Sequence, residues 1–156
     1  FGAGHVGKAV AQVASFLNYA VTVWDEREEF ANTQNIPWAR TIACPLDEAF
    51  EKHLSFHDLT HVIVVTRGHS LDTEVVQKLE GKKTAYIGVI GSKRKIAVMK
   101  ENLSKMSVSQ EFLDSIFAPI GLPIKAETPE EIAVSIMSEV IAVDNGANVK
   151  ALRQSL

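Results

Sequence analysis

The chain has 156 residues, 46% of them hydrophobic, one cysteine and a net charge of −3, which is the size of one globular domain with a single core. The charge balance argues against nucleic-acid binding, which calls for a basic domain or stripe. Cys44 alone allows neither an intrachain disulfide nor a Cys-rich metal cage, and no apolar run approaches the roughly 20 residues that span a bilayer. Residues 1–20 lack a charged segment followed by an apolar one, so a cytoplasmic location is expected.

The chain opens FGAGHVGKAVAQVASFLNYAVTVWDERE. Gly2, Gly4 and Gly7 form a turn, and residues 5–18 then show helical spacing, with Val6, Val10, Val13 and Leu17 on one face and Asn18 as the stop. AVTVW (20–24) reads as a strand ending at Asp25. Residues 26–58 carry weaker signals: short helices at 27–31 and 46–54, and an edge strand near 41–43. HVIVVT (61–66) is continuous rather than alternating, as a strand buried on both faces should be. TAYIGVIG (84–91) is another strand, and helical patterns follow the two at 71–80 and 92–105. SIFAPIGL (115–122) reads as a short strand running into a loop. A strong helix start follows, with Thr128 as N-cap, Pro129 in the first position, Glu131 completing a capping box and Gly146 as terminator.

Strands alternating with helices predict a doubly wound, mostly parallel α/β sheet of the Rossmann-like kind over residues 1–145, with 146–156 as a C-terminal tail. A glycine turn of this type follows a strand, so most of the first strand is expected upstream of Phe1.

The candidate site lies at the carboxyl ends of the strands, where open α/β sheets bind ligands. In Gly2-x-Gly4-x-x-Gly7 the first glycine makes the tight turn, the second admits a pyrophosphate to the backbone, and the third packs helix on sheet. The helix starting at His5 and Val6 then points free N–H groups at an anion. Asp25 ends the next strand 21 residues after Gly4, where an acid accepts hydrogen bonds from a ribose and repels a 2′-phosphate, favouring NAD over NADP. Arg67, Gly68 and His69 end the strand 61–66 and face the same crevice; Asp72 is as well explained as a helix cap. In IGSKRK (90–95), Gly91, Ser92 and Arg94 lead a helix whose dipole disfavours cations. An anionic ligand would explain them, whereas Lys95 fits a solvated face.

Other features have ordinary explanations. Glu127 and Glu130 complement a helix dipole. His53, His57 and His61 straddle a helix end, a loop and a strand start, so no metal site is expected there. Cys44 has no base partner and reads as an inert thiol.

The segments GAGHVGKAVA, VTVWDERE, VVTRGHSLDTEVV, YIGVIGSKRK and APIGLPIKAETPEEIAVSIMSEVIA occur in this order. Together they closely resemble the C-terminal Rossmann domain of the xanthine dehydrogenase accessory factor (XdhC/CoxI) family, over residues 1 to about 143. The resemblance implies a maturation factor that binds the molybdenum cofactor, supports its sulfuration and hands it to an apo xanthine dehydrogenase-type molybdenum hydroxylase. A cysteine desulfurase is a further partner it admits, and a homodimer would suit a protein that must meet a large enzyme. It implies a pterin phosphate or dinucleotide as the anion, instead of or beside NAD. Family members also carry an N-terminal domain, expected before Phe1. Residues 32–58, with Cys44, match no family signature, so sulfur transfer is not carried over to that thiol.

Two other function classes fit the glycine turn: an NAD-dependent oxidoreductase and an NAD-sensing regulatory domain. The first lacks an evident substrate domain and acid–base pair here. The second gives no reason for TRGHSLD and IGSKRK.

Overall fold

The computed structural model describes residues 1–156, with the side chain of His69 excepted. Helix α1 (His5–Phe16) starts from Gly4 in an extended conformation and ends where Asn18 turns left-handed at φ 65°. Strand β1 (Thr22–Trp24) pairs in parallel with β2 (Arg40–Ile42). Helix α2 (Leu46–Glu48) runs on into a π-helical stretch, Ala49–His53. Strand β3 (His61–Val64) pairs in parallel with β4 (Tyr86–Val89), and α3 (His69–Leu79) connects them. Helices α4 (Lys93–Lys105), α5 (Gln110–Ser115), α6 (Pro129–Asp144) and α7 (Val149–Ser155) complete the chain.

The two strand pairs are joined through the first two residues. The Phe1 nitrogen donates to Ile63 O (2.8 Å) and its carbonyl accepts from Val65 N (2.9 Å), while Gly2 N donates to Trp24 O (2.7 Å). Across the molecule the order is therefore β2, β1, residues 1–2, β3, β4, with Phe117 bridged in parallel to Gly88 at the far side. This is the order of a dinucleotide-binding sheet. Below Phe1, between β1 and β3, lies a 420 Å³ cavity lined by Val10, Ala14, Val23, Ile63 and Val140 among others.

Helices cover both faces. On one, Ala9, Val10 and Ala14 of α1 pack with Ala133, Ile136, Met137 and Val140 of α6 and with Tyr86. On the other, Val75, Val76 and Leu79 of α3 and Ile96, Met99 and Leu103 of α4 cover Val62, Val64, Ile87 and Val89. Each such large apolar side chain contributes about 1.5–3 kcal/mol when fully buried. These two layers fix the strand ends, and so the crevice above them.

The α6 start is as the sequence predicts: Thr128 Oγ1 accepts from Glu131 N (3.2 Å), and Glu131 Oε2 accepts from Thr128 N (3.1 Å). Gly146 is left-handed at φ 68° just past the helix. Two expectations fail. Residues 27–31 form turns rather than a helix, because side chains such as Asn32 and Asn35 take up loop carbonyls and buried Ala31 and Ile36 anchor the segment. Residues 115–122 hold one bridge rather than a strand. Ser109 caps α5 up to Ser115, and Pro119 has no N–H to extend the ladder. Residues 149–155, expected within a tail, are helical because Asn148 Oδ1 accepts from Ala151 N (3.0 Å) and Arg153 reaches the core.

Candidate functional site

The glycine turn is built as its spacing requires. Gly2 has φ 105°, and a Cβ there would lie 2.4 Å from Val65 O; a Cβ on Gly7 would lie 1.8 Å from Gly2 O. Neither position tolerates a side chain, so turn and helix are locked against β3. Gly4 differs: nothing lies within 4 Å of its Cβ position. The one glycine of the turn that opens on free space stands at the N-terminus of α1, where N–H groups lack helical partners. His5 is exposed at this entrance. Val6 packs into the α1–α6 layer, so it contributes main chain rather than side chain.

Asp25 ends β1 as expected and is only 5% exposed. Its Oδ2 accepts from Ala3 N (2.9 Å) and Arg27 Nη2 (2.9 Å), and its Oδ1 from Arg27 N (3.1 Å) and Arg27 Nε (2.8 Å). Burial pushes the Asp25 carboxyl up, but the hydrogen bonds from Arg27 and Ala3 outweigh it and hold the group below the usual carboxylate range. Arg27 also lies over the Phe30 ring, 4.0 Å from its centroid. Arg27 falls in the stretch where sequence signals were weakest. The signal that could have found it is the spacing Asp25-x-Arg27, which lets the fork fold back onto a carboxylate at a strand end.

The loop after β3 is fixed from α3. Asp72, 3% exposed, accepts at Oδ1 from Thr66 Oγ1 (2.6 Å) and Thr66 N (3.2 Å). The helix-start reading of Asp72 thus becomes a more specific one: it holds the turn that carries Arg67 and Gly68, both exposed. Gly68 has φ 135° and open space at its Cβ position. The side chain of His69 lies outside the described residues.

After β4, Ser92 Oγ accepts from Lys95 N (3.3 Å) and caps α4. Gly91 precedes it, with Ile96 Cδ1 3.0 Å from its Cβ position. Lys93, Arg94 and Lys95 are exposed, and none makes a salt bridge among the described residues. Ser92, Arg94 and Lys95 line an open groove of 890 Å³ with Ser70 and Thr73 at the start of α3, and the groove runs on along α4 past Asn102 to Lys105 and Met106. The structure therefore places every expected site loop at one end of the strands. It joins Ser92–Arg94 to the α3 start in one groove, and Gly2–Gly4 to Asp25 through Ala3.

Other polar groups lie away from this end. His61, at the start of β3, has Nε2 2.5 Å from Asp144 Oδ1, and Tyr19 OH donates to Asp144 Oδ2 (2.5 Å). Burial, then Asp144, pushes the Tyr19 phenol up to about 12. Glu139 is fully buried: Oε1 accepts from Tyr86 OH (2.8 Å) and Gly121 N (3.1 Å), and Oε2 from Arg153 Nε (2.8 Å) and Nη2 (2.6 Å). Arg153 Nη2 also donates to Pro119 O (2.8 Å), so this pair ties α7 to the loop 119–121. Cys44 is half-buried, and its carbonyl accepts from Trp24 Nε1 (3.0 Å). Among the described residues, no helix is long and apolar enough to cross a membrane.

Residues 1–140 match the family model described as the XdhC Rossmann domain. Among curated proteins, the uncharacterized protein YqeB of Escherichia coli is 33% identical over 149 residues, 94% of this chain and 27% of that protein. A probable xanthine dehydrogenase subunit of Bacillus subtilis is 30% identical over 142 residues, covering 90% of this chain and 41% of that protein. The molybdenum cofactor insertion chaperone PaoD of Escherichia coli is 31% identical over 86 residues, 54% of this chain and 27% of that protein. A crystal structure of a xanthine dehydrogenase from Bacillus halodurans superposes with a TM-score of 0.79 at 27% identity, covering 94% of this chain and 41% of that one. The chain thus spans between about a quarter and two fifths of the length of these relatives.

Proposed function

Since the chain belongs to the XdhC Rossmann domain family, we propose that it is the cofactor-handling part of an accessory protein for xanthine dehydrogenase-type molybdenum hydroxylases. It binds the molybdenum cofactor at the carboxyl ends of its strands, supports its sulfuration and hands it to the apo-enzyme in the cytoplasm. The observation that carries this reading is the family match over residues 1–140, supported by relatives named for xanthine dehydrogenase and for cofactor insertion.

The residues fit an anionic, releasable ligand. Gly4 leaves room for close approach to the N–H groups of α1, and a helix N-terminus favours negative charge by about 0.3–1 kcal/mol at an exposed site. Arg94, beside the capped start of α4, supplies a cation that no internal carboxylate neutralises among the described residues, and Arg67 on the Asp72-held turn supplies another. When bound, the cofactor supplies the molybdenum centre that the target enzyme needs and the phosphate by which this chain can hold it. The loops that grip it are exposed, so a partner enzyme can reach the same edge. Sulfur is expected from a cysteine desulfurase rather than from Cys44, which faces the core.

The test is thermal stability of the full-length protein in buffer, with purified molybdenum cofactor and with NAD+, alongside Gly4→Asp and Arg94→Glu variants. Ligand binding to the folded state raises the melting temperature. A rise with the molybdenum cofactor that both variants lose supports the proposal. A rise with NAD+ alone overturns it in favour of a redox or sensing role.

A further inference from the structure

The carboxylate that ends the second strand of a dinucleotide-binding sheet normally accepts hydrogen bonds from the ribose diol. Asp25 stands there, but its capacity is used up. A carboxylate offers about four lone-pair sites on its two oxygens. The N–H groups of Ala3 and Arg27, together with Arg27 Nε and Nη2, place two donors on each oxygen at 2.8–3.1 Å. The bidentate fork is the strongest form of this contact. The Phe30 ring against the guanidinium face holds it in that plane. A diol arriving at the end of β1 finds no free lone pair on Asp25.

It finds a donor instead. The Arg27 side chain is 22% exposed, and its Nη1 donates to no acceptor among the described residues. The N-terminus of α1 lies on the same side, since the Ala3 amide that precedes Gly4 is bonded to Asp25. Lys8, in the first turns of α1, reaches across to Asn35 Oδ1 (2.9 Å) in the loop that follows β1. Glu26 and Glu29 oppose this charge near Arg27, but both are exposed, where solvent and a Debye length of about 8 Å weaken them.

We infer that Arg27 sets the ligand specificity of this end of the crevice: it fills the ribose-diol acceptor and presents a guanidinium to a phosphate monoester. An unmodified NAD-type ribose is excluded and a phosphorylated group is admitted, reversing the NAD preference that Asp25 suggests in the sequence. The inference rests on the reading of the strand ends as the cofactor site. The phosphate can be that of the pterin cofactor or the 2′-phosphate of a nucleotide.

NADP+ and NAD+ differ only in that phosphate, so their titration by calorimetry into the full-length protein tests the inference apart from the molybdenum reading. The wild type should bind NADP+ at least about tenfold more tightly than NAD+, the size of one hydrogen bond to a charged group. Arg27→Ala frees Asp25 and should invert the order, gaining NAD+ binding and losing NADP+. Arg27→Lys keeps a cation beside Asp25 but cannot fork, so it should gain NAD+ while protecting the fold. Equal affinities in the wild type, an unchanged ratio in both variants, or no NAD+ binding by either variant overturns the inference. Titration with purified molybdenum cofactor separates the phosphate sources. Tight cofactor binding weakened about tenfold by Arg27→Ala, against weak NADP+ binding, assigns the position to the pterin phosphate. Inversion of the nucleotide order without any cofactor binding supports the role of Arg27 and refutes the molybdenum reading instead.

Discussion

Placing a methyl group on Gly7 and on Gly4 separates the two jobs of the opening turn. At Gly7 the added Cβ would lie 1.8 Å from the Gly2 carbonyl oxygen and 2.8 Å from its carbon. Those are main-chain atoms, which cannot rotate aside, so α1 must lift off the turn and disturb its packing with α6. Overpacking costs about 1–3 kcal/mol when side chains can adjust, and a main-chain overlap belongs at or above the top of that range. Against a total stability of about 5–15 kcal/mol, a loss of about 3 kcal/mol should lower the melting temperature of a domain this size by about 6–12 °C. At Gly4, φ is −70° and no atom lies within 4 Å of the new methyl. The only cost is the N-cap preference of Gly over Ala, under about 1 kcal/mol. Gly4→Ala should therefore melt within about 4 °C of wild type yet bind its anionic ligand more weakly, because the methyl fills the approach to the α1 amides. Calorimetry on the full-length protein, following the transition that Gly7→Ala moves, measures both. The reasoning fails if Gly7→Ala melts with the wild type, or if Gly4→Ala falls as far as Gly7→Ala.

Arg153→Met should cost about 3 kcal/mol in urea denaturation, the low end for breaking a buried pair, because Arg153 keeps 28% exposure while Glu139 has none. Adding Glu139→Gln should recover much of the loss, and no recovery would show that the charge is not the cause. Thr128→Ala removes the Oγ1 acceptor of the α6 capping box and should cost about 1 kcal/mol, with faster hydrogen exchange at the Glu131 amide; unchanged exchange there contradicts the cap. Asp25 titrates lower in the folded chain than in the unfolded one. Its contribution is therefore present above the ordinary carboxylate pKa of about 3.9 and lost as pH falls through the lower folded value. Asp25→Asn should lower stability at neutral pH and flatten the acid limb below about pH 4; an unaltered limb means that Asp25 is not a source of acid sensitivity.

Features specified by a few neighbouring residues were readable from the chain alone. The glycine turn, the capping box at Thr128 and Glu131, the stop at Gly146 and the strands in 61–66 and 84–91 each follow from local rules about φ, caps and apolar runs, although β3 (His61–Val64) alternates buried with half-buried residues where its continuous apolar run predicts burial on both faces. Five such segments in order were enough to point to the family. The stretch 26–58 was less legible because its order comes from side-chain hydrogen bonds and two buried anchors, Ala31 and Ile36, which leave no period in the sequence. Residues 115–122 misled for a related reason: an apolar run resembles a strand, but Pro119 has no N–H for a regular ladder, and Val89 O accepts from Ile120 N instead (2.9 Å).

By itself the sequence determined the turn, the helix ends and the loops that could meet an anion, since backbone strain and capping act over four or five residues. Tertiary structure decided what those loops offer. Asp25 is an acid at a strand end in the sequence. Only the approach of the Ala3 amide, 22 residues away, and the return of the Arg27 fork turn it into a saturated carboxylate beneath a guanidinium. Glu139 and Arg153 are likewise two ordinary charges until α7 folds back over α6. Burial removes the water that would otherwise have satisfied them, and a partner must replace it; which partner arrives is a matter of packing that no local pattern records.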